Sequence, residues 1–182
     1  VFTGWTSNVA VKNRAHRWVV EAIELVADTL PYLLVGIDAD NGGEFINHRL
    51  VAWCAQRAVF FTRSRPHTSN DNAHVEQKNG DIVRKNAYRY RYDTPAELDL
   101  LAGLWELVNL RKNYLLPTKK ATGWRETASG RHVRVYDAPR TPYQRVLDSG
   151  ILSEDLAAEL AAVRAGLNPA DLTRRINAIQ TQ

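Results

Sequence analysis

Cysteine and methionine are nearly missing from the 182-residue chain, which has one cysteine, Cys54, and no methionine. A single thiol forms neither an internal disulfide nor a cysteine-based zinc site, so both of these structural classes are excluded. Cys54 lies in an apolar helical pattern at 50–55, and we expect it to be buried. A reducing compartment, the cytoplasm, fits this composition.

Long hydrophobic runs are also missing. No stretch of about 18 apolar residues occurs, so the sequence predicts no transmembrane helix. Residues 1–5 have neither the basic nor the apolar region of a signal peptide, and they lack an initiating methionine. We interpret the chain as a fragment that begins inside a strand.

Positive charge is unevenly distributed along the chain. Residues 49–92 contain nine Lys/Arg and three Asp/Glu, whereas residues 93–182 contain twelve and eleven. Concentrated positive charge indicates a polyanionic partner such as nucleic acid, and a solvated basic face is an equally simple alternative.

The order of the apolar patterns predicts an α/β fold. Helical spacing over 14–30 stops at Pro31, and the apolar run at 33–37 is typical of a strand buried on both faces. The remaining predicted elements are a strand or hairpin piece at 1–11, a helix at 47–58, a strand at 59–62, a polar loop at 63–72, and helices at 73–88 and 94–114. Strands that alternate with helices indicate parallel pairing.

The composition changes after residue 117. We place a boundary there between a domain at 1–117 and an appendage of loops and helices at 118–182. In the appendage we expect one strand at 132–136 and two helices that begin after Ser153 and Asn168. Its near-neutral charge weakens a DNA-binding role, and multimer formation or packing on the core are the alternatives.

Two carboxylates, separated by thirty-five residues, are candidate catalytic groups. Asp40 follows the strand predicted at 33–37, where sites of open α/β sheets gather, and Glu76 lies in the first turn of a predicted helix. Each also has a simpler interpretation, Asp40 as a turn former and Glu76 as a helix-dipole residue. Glu44 is interpreted as an acid at the start of a helix.

The context of these carboxylates resembles a known family. The stretches 40–45 (Asp-Asn-Gly-Gly-Glu-Phe), 62–66 (Thr-Arg-Ser-Arg-Pro) and 70–79 (Asn-Asp-Asn-Ala-His-Val-Glu-Gln-Lys-Asn) are similar to the retroviral-integrase-like (DDE) core of bacterial insertion-sequence transposases. The resemblance implies a ribonuclease H-like mixed sheet flanked by helices. It covers residues 1–92 well, and it implies that Asp40 and Glu76 are two members of a catalytic triad.

The resemblance also implies a reaction and its partners. The reaction is DNA transposition or integration, by nicking and strand transfer at two Mg²⁺ or Mn²⁺ ions, with Asp40 serving one ion and Glu76 the other. The implied partners are element ends and target DNA, without a membrane, and the implied active complex is a homo-oligomer associated with the bacterial nucleoid. The residues that we expect to contact DNA are Arg63, Arg65, Lys78, Arg84, Lys85 and Arg89. On a regular helix Arg84 lies about 80° from Glu76, which makes it the best near-site candidate in that helix.

One part of the family pattern has no counterpart here. The first Asp of the triad belongs on a strand that should precede Val1, and Asp38 is too near Asp40 to come from a different strand. We therefore expect the fragment alone to bind metal weakly and to have little strand-transfer activity. Two alternatives stay open: a ribonuclease H-like nuclease, and a non-catalytic basic module for DNA binding or assembly.

Overall fold

The computed structural model describes residues 2–40, 42–45, 47–64, 79–88 and 90–182. The chain divides into two compact units. We call Ser7–Glu106 with Ile176–Gln182 the sheet unit, and Val1–Thr6 with Leu107–Arg175 the hairpin unit. The domain boundary near residue 117 stays a prediction.

The sheet unit alternates helices and strands, as the apolar patterns predict. Its elements are α1 (His16–Thr29), β1 (Gly36–Ala39), α2 (His48–Gln56), β2 (Phe60–Arg63), a π-helical turn (Asn79–Val83), α3 (Arg84–Asn86) and the first part of α4 (Pro95–Leu110). Helix α1 ends before Leu30, whose backbone is extended because Pro31 disfavours a helical conformation in the residue before it. Strands β1 and β2 pair in parallel, with Gly36 opposite Phe60 and Ala39 opposite Arg63. The predicted α/β class is therefore confirmed.

The prediction that the strand at 33–37 is buried on both faces is wrong. Strand β1 begins three residues later than predicted, at Gly36. Leu33 and Val35, before it, are 84% and 64% exposed, and Phe60 on β2 is 79% exposed. The physical reason is that the described helices α1 and α2 pack on one face of this pair: Ile37 and Phe61 lie on that face, and Gly36 and Phe60 lie on the opposite face.

The core of the sheet unit forms where α1 and α2 pack against the sheet. Its buried centre is Leu50, Trp53, Cys54 and Val59. Cys54 is 2% exposed, which confirms the prediction of a buried cysteine, and burial raises the pKa of its thiol. The amide side chain of Asn47 begins α2 by accepting the backbone N–H of Leu50 at 2.8 Å.

The hairpin unit contains an antiparallel β-hairpin and helices. Its elements are the end of α4, a π-helical turn (Arg111–Leu115), β3 (Ala121–Glu126), β4 (His132–Tyr136), α5 (Pro142–Asp148), α6 (Glu154–Gly166) and most of α7 (Pro169–Gln180). Strand β4 and helices α6 and α7 confirm three predicted elements. Strand β3 and helix α5 were predicted as loop, although Thr141 and Gln144 form a capping box at the start of α5.

The strand or hairpin piece predicted at 1–11 is not formed by the described residues 2–11. The side chain of Asn113 takes the place of a strand partner there. Its Oδ1 accepts the Thr6 N–H at 2.9 Å, and its Nδ2 donates to the Thr6 carbonyl at 2.8 Å. One buried amide thus satisfies both backbone groups of Thr6 without a β-ladder.

In the described part of the chain, no helix is long and apolar enough to cross a membrane.

Candidate functional site

Asp40 lies directly after β1, at the carboxyl end of the parallel pair, and is half-buried. Its Oδ1 accepts the backbone N–H of Gly42 at 2.9 Å, which is the bond of an Asp-initiated turn. The end of β2 runs beside it, because Ser64 donates its backbone N–H to the Ala39 carbonyl at 2.9 Å. The turn therefore fixes one carboxylate oxygen and orients the other.

Glu44 lies close to Asp40, and this proximity was not predicted from the sequence. A Cβ built on Gly42 would lie 2.9 Å from Asp40 Oδ1 and also 2.9 Å from Glu44 Oε2. The two carboxylate oxygens are therefore no farther apart than twice that distance. Glu44 precedes α2, which begins at His48 after the cap Asn47, and its interpretation as an acid at the entry of that helix stays a prediction. Two acids four residues apart, with two glycines between them, were the sequence signal that could have indicated this proximity.

The second predicted catalytic residue, Glu76, lies outside the described residues, as do Arg65, Lys78 and Arg89. The convergence of Asp40 and Glu76 on one metal site therefore stays a prediction. Among the described ranges no group of three His, Cys, Asp or Glu side chains could hold a metal ion. Asp40 and Glu44 supply the carboxylate oxygens that Mg²⁺ and Mn²⁺ prefer, so the donor chemistry present fits such an ion in part.

Asp38 occupies a different position from Asp40. It lies within β1 and accepts a hydrogen bond from the Thr62 hydroxyl at 2.9 Å, across the parallel pair. This cross-strand bond ties the carboxylate to β2 on the exposed side of the sheet. Asp38 thus belongs to the strand that Asp40 directly follows, and it does not supply a carboxylate from a separate strand.

Three of the predicted DNA-contacting residues are described. Arg63 ends β2, opposite Ala39 in the register, and is exposed. Arg84 is exposed as well, whereas Lys85 pairs with Asp81 at 2.8 Å. The angle of about 80° between Glu76 and Arg84 assumed a regular α-helix. A π-helical turn is present at Asn79–Val83, and the angle stays a prediction because Glu76 lies outside the described residues.

A cavity of about 480 Å³ in the sheet unit is separate from Asp40. Tyr88, Tyr90, Tyr92, Leu101 and Ile179 are among its lining residues. Neither Asp40 nor Glu44 lines it, so the candidate site is a turn at the end of a sheet, and this cavity is not part of it.

No family model matches the sequence. The uncharacterized protein y4rM of Sinorhizobium fredii (strain NBRC 101917 / NGR234) is 35% identical over 145 residues, which are 80% of this chain and 41% of that protein. The chain thus spans less than half the length of this curated relative. The crystal structure of the catalytic core domain of BIV integrase is similar with a TM-score of 0.45 and 20% identity, over 76% of this chain and 74% of that one.

Proposed function

We propose that this chain is part of a metal-dependent DNA strand-transfer enzyme, a DDE transposase or integrase, in which Asp40 and Glu76 hold the divalent cations. The observation that carries the proposal is the position of Asp40. Its carboxylate stands in a glycine turn at the carboxyl end of two parallel strands, where α/β sheets place their ligands. Asp40 begins the first of the three stretches that resemble the family, and the other two follow it in the sequence.

The turn prepares Asp40 to bind a cation. The Gly42 N–H holds Oδ1, and within the described ranges no hydrogen bond reaches Oδ2. Because this hydrogen bond already orients the carboxylate, Asp40 would lose little conformational freedom on binding a cation.

Divalent cations at this site would stabilise the charge on the attacking and leaving oxygens of a phosphodiester. Asp40 and Glu76 would hold them by resemblance, and Glu44 lies beside Asp40 as a further carboxylate. We also propose that Arg63, which is exposed at the end of β2, contacts a phosphate of the bound DNA.

The activity is proposed for the longer protein and not for this chain alone. The family pattern requires a third carboxylate, from a further strand. Among the described residues, no group of three side chains is placed to hold a metal ion. We therefore propose weak metal binding by the isolated chain. In the longer protein we propose residues 1–117 as the catalytic core, with element ends and target DNA as substrates of a homo-oligomeric complex.

The alternative is a non-catalytic module, and one observation favours it. The bond between Asp40 Oδ1 and the Gly42 N–H is the same bond that an ordinary Asp turn forms without any ligand. Under this alternative the carboxylate charge of Asp40 has no role.

The substitution Asp40→Asn separates the two functions. Asparagine keeps the oxygen that accepts the Gly42 N–H, so the turn is retained and only the charge is lost. Asp38→Asn is the matched control two residues earlier on the same strand. We expect bound Mn²⁺, measured by electron paramagnetic resonance, to fall strongly for Asp40→Asn and Glu76→Gln and to change little for Asp38→Asn.

In the longer protein the same two site variants should abolish joining of labelled DNA ends. Joined products distinguish strand transfer from a nuclease, which would only cut. Unchanged Mn²⁺ binding and joining by Asp40→Asn would contradict the proposal and support the non-catalytic module.

A further inference from the structure

The β3–β4 hairpin has a net positive charge, whereas the segments on either side of it are close to neutral. Residues 118–140 contain two acids, Glu126 and Asp137, and six basic residues, which are Lys119, Lys120, Arg125, Arg131, Arg134 and Arg140. One of the two acids is already compensated, because Asp137 pairs with Arg145 of α5 at 2.6 Å. The near-neutral charge of residues 118–182 is therefore an average that includes a strongly basic segment at 118–140, which we call the basic ribbon.

The hairpin exposes its side chains on both faces. Every residue of β3 is exposed, and in β4 only Val133 is half-buried. Trp124 is 64% exposed and Tyr136 is 52% exposed. A two-stranded ribbon with so little buried apolar surface gains little stability from its side chains, so packing does not explain the aromatic and basic residues placed there.

Three arginines of the ribbon are available to a ligand. Arg134 lies opposite Trp124 in the register, and its guanidinium is 5.0 Å from the centre of the Trp124 ring, which limits its motion. Arg125 lies opposite Val133, on the other face, and Arg131 precedes β4 at the tip. No described acid forms an ion pair with these arginines.

The base of the ribbon is fixed to the hairpin unit. Arg145 donates one hydrogen bond to Asp137 and another, of 2.8 Å, to the Thr118 carbonyl. Thr118 and Arg140 exchange two backbone hydrogen bonds, at 2.9 and 3.2 Å. A rigid base and an open ribbon together form a preorganised cationic surface, which reduces the entropy that binding would cost.

We propose that the β3–β4 hairpin binds duplex DNA, with the ribbon in the major groove and its arginines on the phosphates. The major groove admits a two-stranded β-ribbon, and cations on both faces of the ribbon can meet the two phosphate backbones that border the groove. The choice of DNA as the polyanion rests on the proposed function. The cationic, exposed ribbon is an independent observation.

The test measures binding of a fluorescein-labelled duplex to the full chain by anisotropy, over a series of salt concentrations and without divalent metal. The variant is Arg131→Gln with Arg134→Gln. The control is Arg174→Gln with Arg175→Gln, two exposed arginines of α7 in the same unit, which removes the same charge. We expect the hairpin variant to bind at least about tenfold more weakly at low salt and to lose roughly two from the magnitude of the slope of log K against log salt.

The outcomes separate this inference from the proposed function. Equal losses in the two double variants, wild-type affinity in the hairpin variant, or absence of duplex binding by the wild type would each overturn the hairpin proposal. Tighter binding of a single strand or of an RNA duplex would also overturn it, because neither offers the wide major groove of B-DNA. The duplex assay contains no divalent metal and the Mn²⁺ assay contains no DNA, so the hairpin proposal and the catalytic proposal fail independently of each other. Circular dichroism and thermal unfolding of each variant confirm that it is folded.

Discussion

Arg145 and Asp137 form an ion pair of 2.6 Å in which the arginine side chain is 7% exposed and the aspartate side chain 26%. The pair joins α5 to the end of β4, and it orders the base of the basic ribbon. The hydrogen bond from Arg145, with a second from the backbone N–H of Lys120, lowers the pKa of Asp137 to about 2.

This ion pair predicts an acid-dependent loss of stability. Asp137 is more acidic in the folded chain than its ordinary value of 3.8, so its contribution is complete above that value and is lost as the pH falls toward about 2. We expect the free energy of unfolding in urea to fall more steeply below about pH 4 in the wild type than in Asp137→Asn. Parallel curves for wild type and Asp137→Asn would contradict the prediction.

Asn113→Leu should destabilise the hairpin unit. Asn113 is 3% exposed, and its amide satisfies both the N–H and the carbonyl of Thr6. Leucine leaves those backbone groups without this partner, which costs about 1–3 kcal/mol. The measurement is chemical unfolding, and Asn177→Leu on the exposed side of α7 should change stability by less than about 0.5 kcal/mol. A change in Asn113→Leu as small as that of the control would show that the pairing with Thr6 contributes nothing.

Ala58→Gly should stabilise the protein. Ala58 follows α2 with a φ of 53°, a left-handed conformation that glycine adopts more easily than alanine. We expect a gain of about 0.5–1 kcal/mol in the free energy of unfolding. Ala55→Gly, inside the same helix and equally exposed, should lose about 0.5–1 kcal/mol. The opposite signs of two identical substitutions make the comparison decisive, and a loss in both would refute the backbone argument.

Gly42→Ala should disturb the candidate site, whereas Gly43→Ala should not. An added Cβ at Gly42 meets oxygens of Asp40 and Glu44 at 2.9 Å, and nothing lies within 4 Å of one added at Gly43. Glu44 can turn away, but Asp40 is held by the N–H of Gly42 itself, so relief requires that this hydrogen bond lengthen. We expect Gly42→Ala to lose about 1–3 kcal/mol of stability. Gly43→Ala should be neutral or gain up to about 1 kcal/mol. Thermal unfolding of both variants measures the difference, and equal stabilities would show that the turn tolerates a side chain.

The sequence predicted best those elements whose ends carry a local signal. Pro31 ends α1, Ser153 caps α6, and Asn168 accepts the N–H groups of Ala170 and Asp171 at the start of α7. Asp40 was predicted as either a turn former or a ligand, and the turn is present. These features depend on a few neighbouring residues, so a sequence pattern is sufficient to find them.

The features that the sequence missed depend on distant contacts. The described residues 2–11 form no strand, and Asn113, far along the chain, pairs with the backbone of Thr6 instead. Leu33 and Val35, before β1, are exposed, and no periodicity of the sequence reveals which face of the parallel pair the described helices cover. Strand β3 has a bulge between Ala121 and Gly123 and no buried face, so it lacks the alternation that identifies a strand.

The burial of Cys54 has a practical consequence for studying this protein. Thiol-reactive probes attack the thiolate, and Cys54 is both inaccessible and harder to deprotonate than a free cysteine. A cysteine introduced at the exposed tip of the ribbon, as in Ser129→Cys, should therefore react alone at neutral pH, without removal of the native cysteine. A fluorophore or spin label at that position would report directly on the approach of a ligand to the hairpin.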